Sequence, residues 1–218
     1  MIGVAVSTHQ RPGTLARSLE GWAGAMPDIL VVNHDVTGTG VAATKNRGIT
    51  ALMDAGCDHL FLADDDMYPV RARWWEPYLR SPEPHLMHCW GSSRYLRTNA
   101  DYADSDETVT VWRWPRGVLL YVRREVVNVV GGMREEFGRW GGEHAEWSRR
   151  IHNAGFTRAP FQDAGTARVG TWHCEDYTRS TPSTITDRER AANTTHRHEL
   201  YDRYRHSRDF VEFRGDRR

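Results

Sequence analysis

Three short apolar runs, each closing on a polar segment, constrain this chain more than any other feature. Residues 2–7 (IGVAVS) alternate small and β-branched side chains and read as a buried strand, followed by Thr8-His9-Gln10-Arg11. Pro12 is placed to open a helix in which Leu15, Leu19 and Trp22 recur at helical spacing. A second run, residues 29–32, ends in Asn33-His34-Asp35, and the loop Thr37–Gly40 leads to a helix through Ala43, Asn46, Ile49 and Leu52. The third run, residues 59–63, ends in Asp64-Asp65-Asp66. Strands and helices alternating at this spacing predict a parallel sheet covered by helices. Such sheets bind ligands beyond the carboxyl ends of their strands, where all three polar segments fall.

The length of 218 residues fits one α/β domain. Lys+Arg and Asp+Glu both number 29, so nothing draws the whole molecule to nucleic acid, although a local basic patch could. No apolar run approaches the roughly 18 residues of a membrane span, and Met1-Ile2-Gly3-Val4 opens directly into a strand without a signal-peptide pattern. Cys57, Cys89 and Cys174 show no CxxC spacing and fit a reducing compartment. These features predict a cytoplasmic protein without a membrane partner. Among the 29 basic residues only Lys45 is lysine. The arginine bias points to a G+C-rich genome, cellular or viral, and singles Lys45 out.

The second half is less regular. Its pattern predicts a helix over 70–79, a strand over 86–90, a polar binding loop or lid over 91–106, and strands over 108–114 and 117–122. A short helix over 124–130 should end at Gly131-Gly132, and another over 143–153 at Gly155. Residues 1–180 read as the domain. Residues 181–218 read as an Arg/His/Tyr-rich tail, helical in part, packed on that domain or extending from it.

Two segments carry chemistry. Three carboxylates at a strand end are costly unless a positive charge is shared among them. Strand alternation sends Asp64 and Asp66 to one side and Asp65 to the other, which suits a hard divalent cation touching phosphate oxygens. An acidic turn is the plainer alternative. Downstream, Gly141 and Gly142 let the backbone approach a ligand, and the helix start that follows favours anions. Glu143, Glu146, Trp147 and Arg150 share one face of that helix, where a Glu146–Arg150 ion pair and a packed Trp147 are the structural alternative.

The motifs STHQRP, GVAATKNRG, FLADDDMYP and GVLLYVRREVVNVVGGMREEFGRWGGEHAEWSRR, in this order, resemble a GT-A-fold glycosyltransferase of the broad family-2 kind over residues 2–175. The resemblance implies a Rossmann-like α/β domain with a mixed, mostly parallel central sheet, followed here by the helical tail. It makes Asp64 and Asp66 a DxD motif holding Mn²⁺ or Mg²⁺ on the diphosphate of a nucleotide sugar, UDP being the usual carrier. Thr8, Arg11, Asp65, the Asn33–Asp35 segment and the pair Lys45-Asn46 fall on the nucleotide side. His173, in RVGTWH, resembles a late histidine that completes the metal shell. WGGEHAEWSRR is similar to segments of retaining polypeptide N-acetylgalactosaminyltransferases and of inverting galactosyltransferases. Trp140, Gly141, Gly142 and Glu146 would then contact substrate. The inverting enzymes carry their aspartate base where this chain has His144, so the base is His144 or Glu143, and inversion or retention stays open. Trp140 and Trp147 could wall a sugar face.

The resemblance leaves the acceptor open. From Asp187 onward the chain has nine Arg and three His against seven acids, so a path for a phosphate backbone is conceivable, with a hydroxymethylated DNA base as acceptor. A protein or glycan hydroxyl is the alternative. Two rival classes are a metal-dependent nucleotidyltransferase or phosphohydrolase and a non-catalytic nucleotide-sugar-binding module. Zinc ligation by His85, His88, Cys89, His173 and Cys174 matches no known spacing.

Overall fold

The computed structural model describes residues 1–88, 100–101, 105–165, 171–174 and 186–215. The first half forms β1 (Ile2–Thr8), α1 (Pro12–Ala23), β2 (Ile29–His34), α2 (Val41–Asp54) and β3 (His59–Asp64), as the alternation predicts. Then follow β4 (Met67–Pro69), α3 (Glu76–Arg80), β5 (His85–Met87), β6 (Ala100–Asp101), β7 (Val109–Trp112), β8 (Leu119–Arg123) and α4 (Arg124–Val130). The last elements are α5 (Glu143–Asn153), β9 (Gln162–Ala164), β10 (Trp172–Cys174) and α6 (Asp187–Arg203).

The central sheet has the order β2-β1-β3-β8-β5. β1 runs parallel to β2 and β3, while β8 is antiparallel to β3 and β5, so only β8 points the other way. Alternation along the strands divides the core. Ala5, Leu60, Leu62, Leu120 and Val122 meet α2, α4 and α5, whereas Val4, Val6, Phe61 and Tyr121 meet α1 and the 74–78 turn. Burial on both faces gives β1 and β3 their nearly continuous apolar runs. Trp22, Trp74 and Trp172 fill the second layer edge to face, with Trp22–Trp74 centroids 5.3 Å apart. Trp147 is fully buried and donates to Gly131 O at 3.0 Å, so it belongs to the core and not to a sugar platform.

The helix expected over 70–79 shrinks to Glu76–Arg80. The Val70 amide is taken by Thr171 O at 2.8 Å beside the antiparallel β4–β10 pair, and Arg73 adopts φ 56°, so helical geometry starts later. The sequence pattern does not predict that pair. The expected 91–106 loop lies mostly outside the described residues, as does Cys89; Ala100–Asp101 pairs with β7. The tail packs on the domain. α6 opens with a Thr186/Glu189 capping box, His196 Nε2 lies 3.0 Å from Glu136 O, and Gly132 N donates to Val211 O at 2.9 Å. Among the described residues no helix is long and apolar enough to cross a membrane.

Candidate active site

Parallel register aligns the strand ends: Ser7 lies beside Asn33 and Asp64, and Thr8 beside His34. The aspartates emerge at this level with two cations among the three, Lys45 on Asp64 and Arg11 shared by Asp65 and Asp66. Lys45 is buried and donates from Nζ to Asp64 Oδ1 at 2.7 Å and to Gly117 O at 3.2 Å. Asp65 is on the α1 side, where Thr8 Oγ1 donates to it at 2.6 Å and Arg11 grips both its oxygens. Asp66 is not placed by alternation, because β3 ends at Asp64 and Asp65-Asp66 form a turn; Arg11 Nη1 reaches Asp66 at 3.3 Å as well. Burial pushes the Asp65 carboxyl above its ordinary range, and Asp64 adds to this, against the opposing pull of Thr8 and Arg11.

Beyond β2, Asp35 organises its own loop. Its carboxylate accepts from Thr39 N (2.8 Å), Thr39 Oγ1 (2.9 Å) and Gly40 N (3.0 Å). Burial opposes its charge, but these donors and His9 outweigh burial and hold it below the usual carboxylate range. Gly40 has φ 106°, and a Cβ there would lie 2.4 Å from Gly138 O. Only glycine lets this loop press on the segment before α5, where Val41 N donates to Arg139 O at 3.2 Å. Asn46 is spent on the same junction, accepting from Met133 N and donating to Met133 O and Glu135. Asn33 Nδ2 and Ser7 Oγ are buried at the strand ends with no hydrogen-bond partner among the described residues.

The WGGE segment turns on Gly141 and Gly142, with φ of 98° and 97°; a Cβ on Gly142 would meet the Phe137 ring at 2.8 Å. α5 then begins at Glu143. Glu143 is 3% exposed and lies 3.1 Å from His144 Nδ1. Burial disfavours its charge, yet His144, its own amide and Lys45 together hold it below the usual range. With Nδ1 donating to a carboxylate, Nε2 becomes the basic nitrogen of His144. The ring lies against Gly117, where a Cβ would come within 2.8 Å of it. Asp64, Lys45, Gly117, His144 and Glu143 therefore form one contiguous chain joining both motif segments. Gly117 opens the GVLLYV motif, but its role, a carbonyl and an empty space, is not legible in sequence. Trp114, three residues before it, is 66% exposed.

Glu146 faces inward, bonded to Arg150 Nε at 2.8 Å and Arg134 Nε at 3.3 Å, and is 2% exposed. Trp140 carries Arg197 over its ring at 5.4 Å, and its carbonyl accepts from Asn193 of α6. A cavity of about 340 Å³ lies between Arg139, Trp140 and the α6 residues Glu189, Asn193 and His196. His173 pairs with Tyr68 across the antiparallel β4–β10 pair and stacks on its ring at 4.7 Å. Among the described residues no three His, Cys, Asp or Glu side chains converge as a metal-holding group. The Asp64 and Asp66 carboxylates nonetheless fit Mn²⁺ or Mg²⁺ in donor chemistry, with phosphate oxygens to complete a shell.

No family model matches the sequence, and no curated protein does. Solved structures do match in fold. GalNAc-T7 with UDP, GalNAc and Mn²⁺ superposes with a TM-score of 0.59 at 14% identity, over 94% of this chain and 48% of that one. The mannosyltransferase PcManGT of Pyrobaculum calidifontis with GDP-Man and Mn²⁺ gives 0.59 at 15%, over 93% of this chain and 64% of that one. Drosophila β1,4-galactosyltransferase 7 with manganese, UDP-Gal and xylobiose gives 0.53 at 17%, over 88% and 79%. The chain spans about half the length of GalNAc-T7. It carries the GT-A fold of nucleotide-sugar glycosyltransferases.

Proposed function

We propose that this chain is a metal-dependent glycosyltransferase, moving a hexosyl or N-acetylhexosaminyl unit from a nucleoside-diphosphate sugar to an acceptor hydroxyl. The observation that carries the reading is the chain Asp64–Lys45–Gly117–His144–Glu143, which joins a carboxylate cluster to an oriented histidine within a GT-A fold. Mn²⁺ or Mg²⁺ held by Asp64 and Asp66 would neutralise charge on the departing nucleoside diphosphate, while His173, stacked on Tyr68, does not converge with the two carboxylates. Arg11 and Lys45 are close enough to these carboxylates to pair with diphosphate oxygens instead. Thr8, Asn33 and Asp35 shape the nucleotide side, together with Asp65 and Asn46. UDP is the expected carrier.

His144 Nε2 acts as the general base. The acceptor hydroxyl attacks the anomeric carbon, its proton passes to Nε2, and the bond to the diphosphate oxygen breaks with the electron pair leaving on the nucleotide. Glu143 orients the ring and stabilises its protonated form, as a buried carboxylate behind a histidine base does. A single displacement of this kind predicts inversion. Gly141 and Gly142 set the start of α5, Glu146 anchors it, and Trp140 and the exposed Trp114 supply apolar faces for a sugar or a base.

For the acceptor, the exposed Arg188, Arg203, Arg205 and Arg208 on α6 and just beyond it support a modified DNA base presented on a phosphate backbone. A glycan acceptor is supported by the cavity between Trp140 and α6. The test offers UDP- and GDP-sugars with hydroxymethylated DNA, peptides and oligosaccharides, and reads mass gain on the acceptor and nucleoside diphosphate released. Transfer that is lost in His144→Ala supports the reading. Release of phosphate or pyrophosphate instead would assign the site to a hydrolase or nucleotidyltransferase.

A further inference from the structure

The turn after β4 forms a second cleft, of about 520 Å³, between residues 71–81, Glu107–Thr108 and Thr171. Three arginines line it, Arg71, Arg73 and Arg80, over the buried ring of Trp74. Glu76 and Glu107 line it too, so three guanidinium groups face two carboxylates and the cleft keeps a positive excess in a molecule with no net charge. Glu76, at the start of α3, pairs with Arg73 in the turn before it and with Arg80 at 3.3 Å one helical turn on. A guanidinium has five N–H donors, so one shared carboxylate leaves both forks with donors unspent. Arg71 is exposed and makes no hydrogen bond or ion pair among the described residues. Arg73 sits at φ 56°, a left-handed conformation that a side-chain-bearing residue seldom adopts, and lines this rim.

We propose that this cleft binds a phosphate ester at a site separate from the strand-end aspartates. Planar guanidinium forks match phosphate oxygens in charge and spacing better than any other side chain. Thr171 lines the same cleft and can add a neutral donor, whereas the Thr108 hydroxyl is spent on Asp106 Oδ1 at 2.7 Å. β4 leads from Asp66 to the cleft rim, and at about 3.3 Å per residue the two sites are on the order of 13 Å apart along the strand. A chain with several phosphates could therefore occupy the cleft while presenting a hydroxyl at the strand ends. Binding here needs neither a divalent metal nor a nucleotide sugar, so it stands whether or not the transferase reading does.

The test uses fluorescence anisotropy of a labelled single-stranded oligothymidylate in EDTA at low salt, with inorganic phosphate and thymidine monophosphate as competitors. Wild type is compared with Arg71→Glu/Arg80→Glu and with Asp66→Asn; both arginines are exposed, so the melting temperature should not move. The proposal predicts metal-independent binding, weakened at least tenfold in the double variant and unchanged in Asp66→Asn. Competition by inorganic phosphate or the monophosphate identifies a small phosphate ester as the ligand. Displacement by longer oligonucleotides alone, with a steep salt dependence, identifies a phosphodiester chain. Three results overturn the proposal: no probe binds, binding survives in the double variant, or binding is lost in Asp66→Asn.

Discussion

Two sets of buried polar groups in this chain have opposite fates. On the flank where β5 meets β9 and α5, His85 lies between Tyr121 O and Ser148 Oγ, both at 2.8 Å, and Gln162 Nε2 donates to Glu83 at 2.7 Å. Arg150 closes on Glu146 and on the carbonyls of Val130 and Gly132. These side chains are saturated and sealed. At the strand ends Asp64 is 33% exposed although Lys45 holds one of its oxygens, and His144 is 19% exposed although Glu143 holds one of its nitrogens. Saturation marks scaffold, and a half-spent group at a surface marks chemistry. Sequence type alone does not separate them, since Glu143 and Glu146 stand three residues apart on one helix.

The sharpest way to break this contrast is to cross it. Glu146→Leu strands a buried Arg150 and should cost about 3–5 kcal/mol of stability, seen as a lower denaturation midpoint. His144→Ala should instead lower kcat by roughly 10²–10⁴-fold with little change in melting temperature. If His144→Ala unfolds the protein, or Glu146→Leu spares it, the division fails. Glu143→Gln sharpens the site half: it should lower kcat less than His144→Ala does, because the amide oxygen can still accept from Nδ1 and orient the ring.

How far each region was legible follows from the same physics. The β-α-β-α-β half, Arg124–Val130 and Glu143–Asn153 were readable because periodicity and glycine stops are local signals. The antiparallel β4–β10 pair was not, since Met67–Pro69 is too short to show alternation and its partner lies about a hundred residues away. Motif spacing located the aspartates and WGGE. It could not reveal that Lys45 and Gly117 join them, or that Arg11 binds two aspartates, because those contacts exist only once the sheet brings residues 11, 45, 64 and 117 together. The Asp35 carboxylate, expected beside nucleotide, is instead consumed by Thr39 and Gly40, which a sequence motif cannot distinguish from ligand contact.

Two smaller effects refine the contrast. Burial lowers the pKa of His85 from 6.5 to about 4, the Tyr121 carbonyl opposing only weakly. The unfolded chain therefore binds the proton first as pH falls. Stability is complete above about pH 6.5 and declines by about 3 kcal/mol on the way to pH 4, a slope that His85→Gln should remove from urea titrations across that window. Trp114→Ala, at an exposed position, should leave stability unchanged and raise KM for the acceptor or donor by about tenfold, the worth of one stacked aromatic face.

The central claim is that the strand-end aspartates form a metal-dependent donor site, and thermal stabilisation by nucleoside diphosphates with and without Mn²⁺ tests it most directly. Ligand that binds only the folded chain raises the melting temperature by mass action. The account predicts a rise with UDP or one other nucleoside diphosphate that requires Mn²⁺ and disappears in Asp66→Asn. No rise with any nucleotide, or a rise that Asp66→Asn leaves intact, would contradict it.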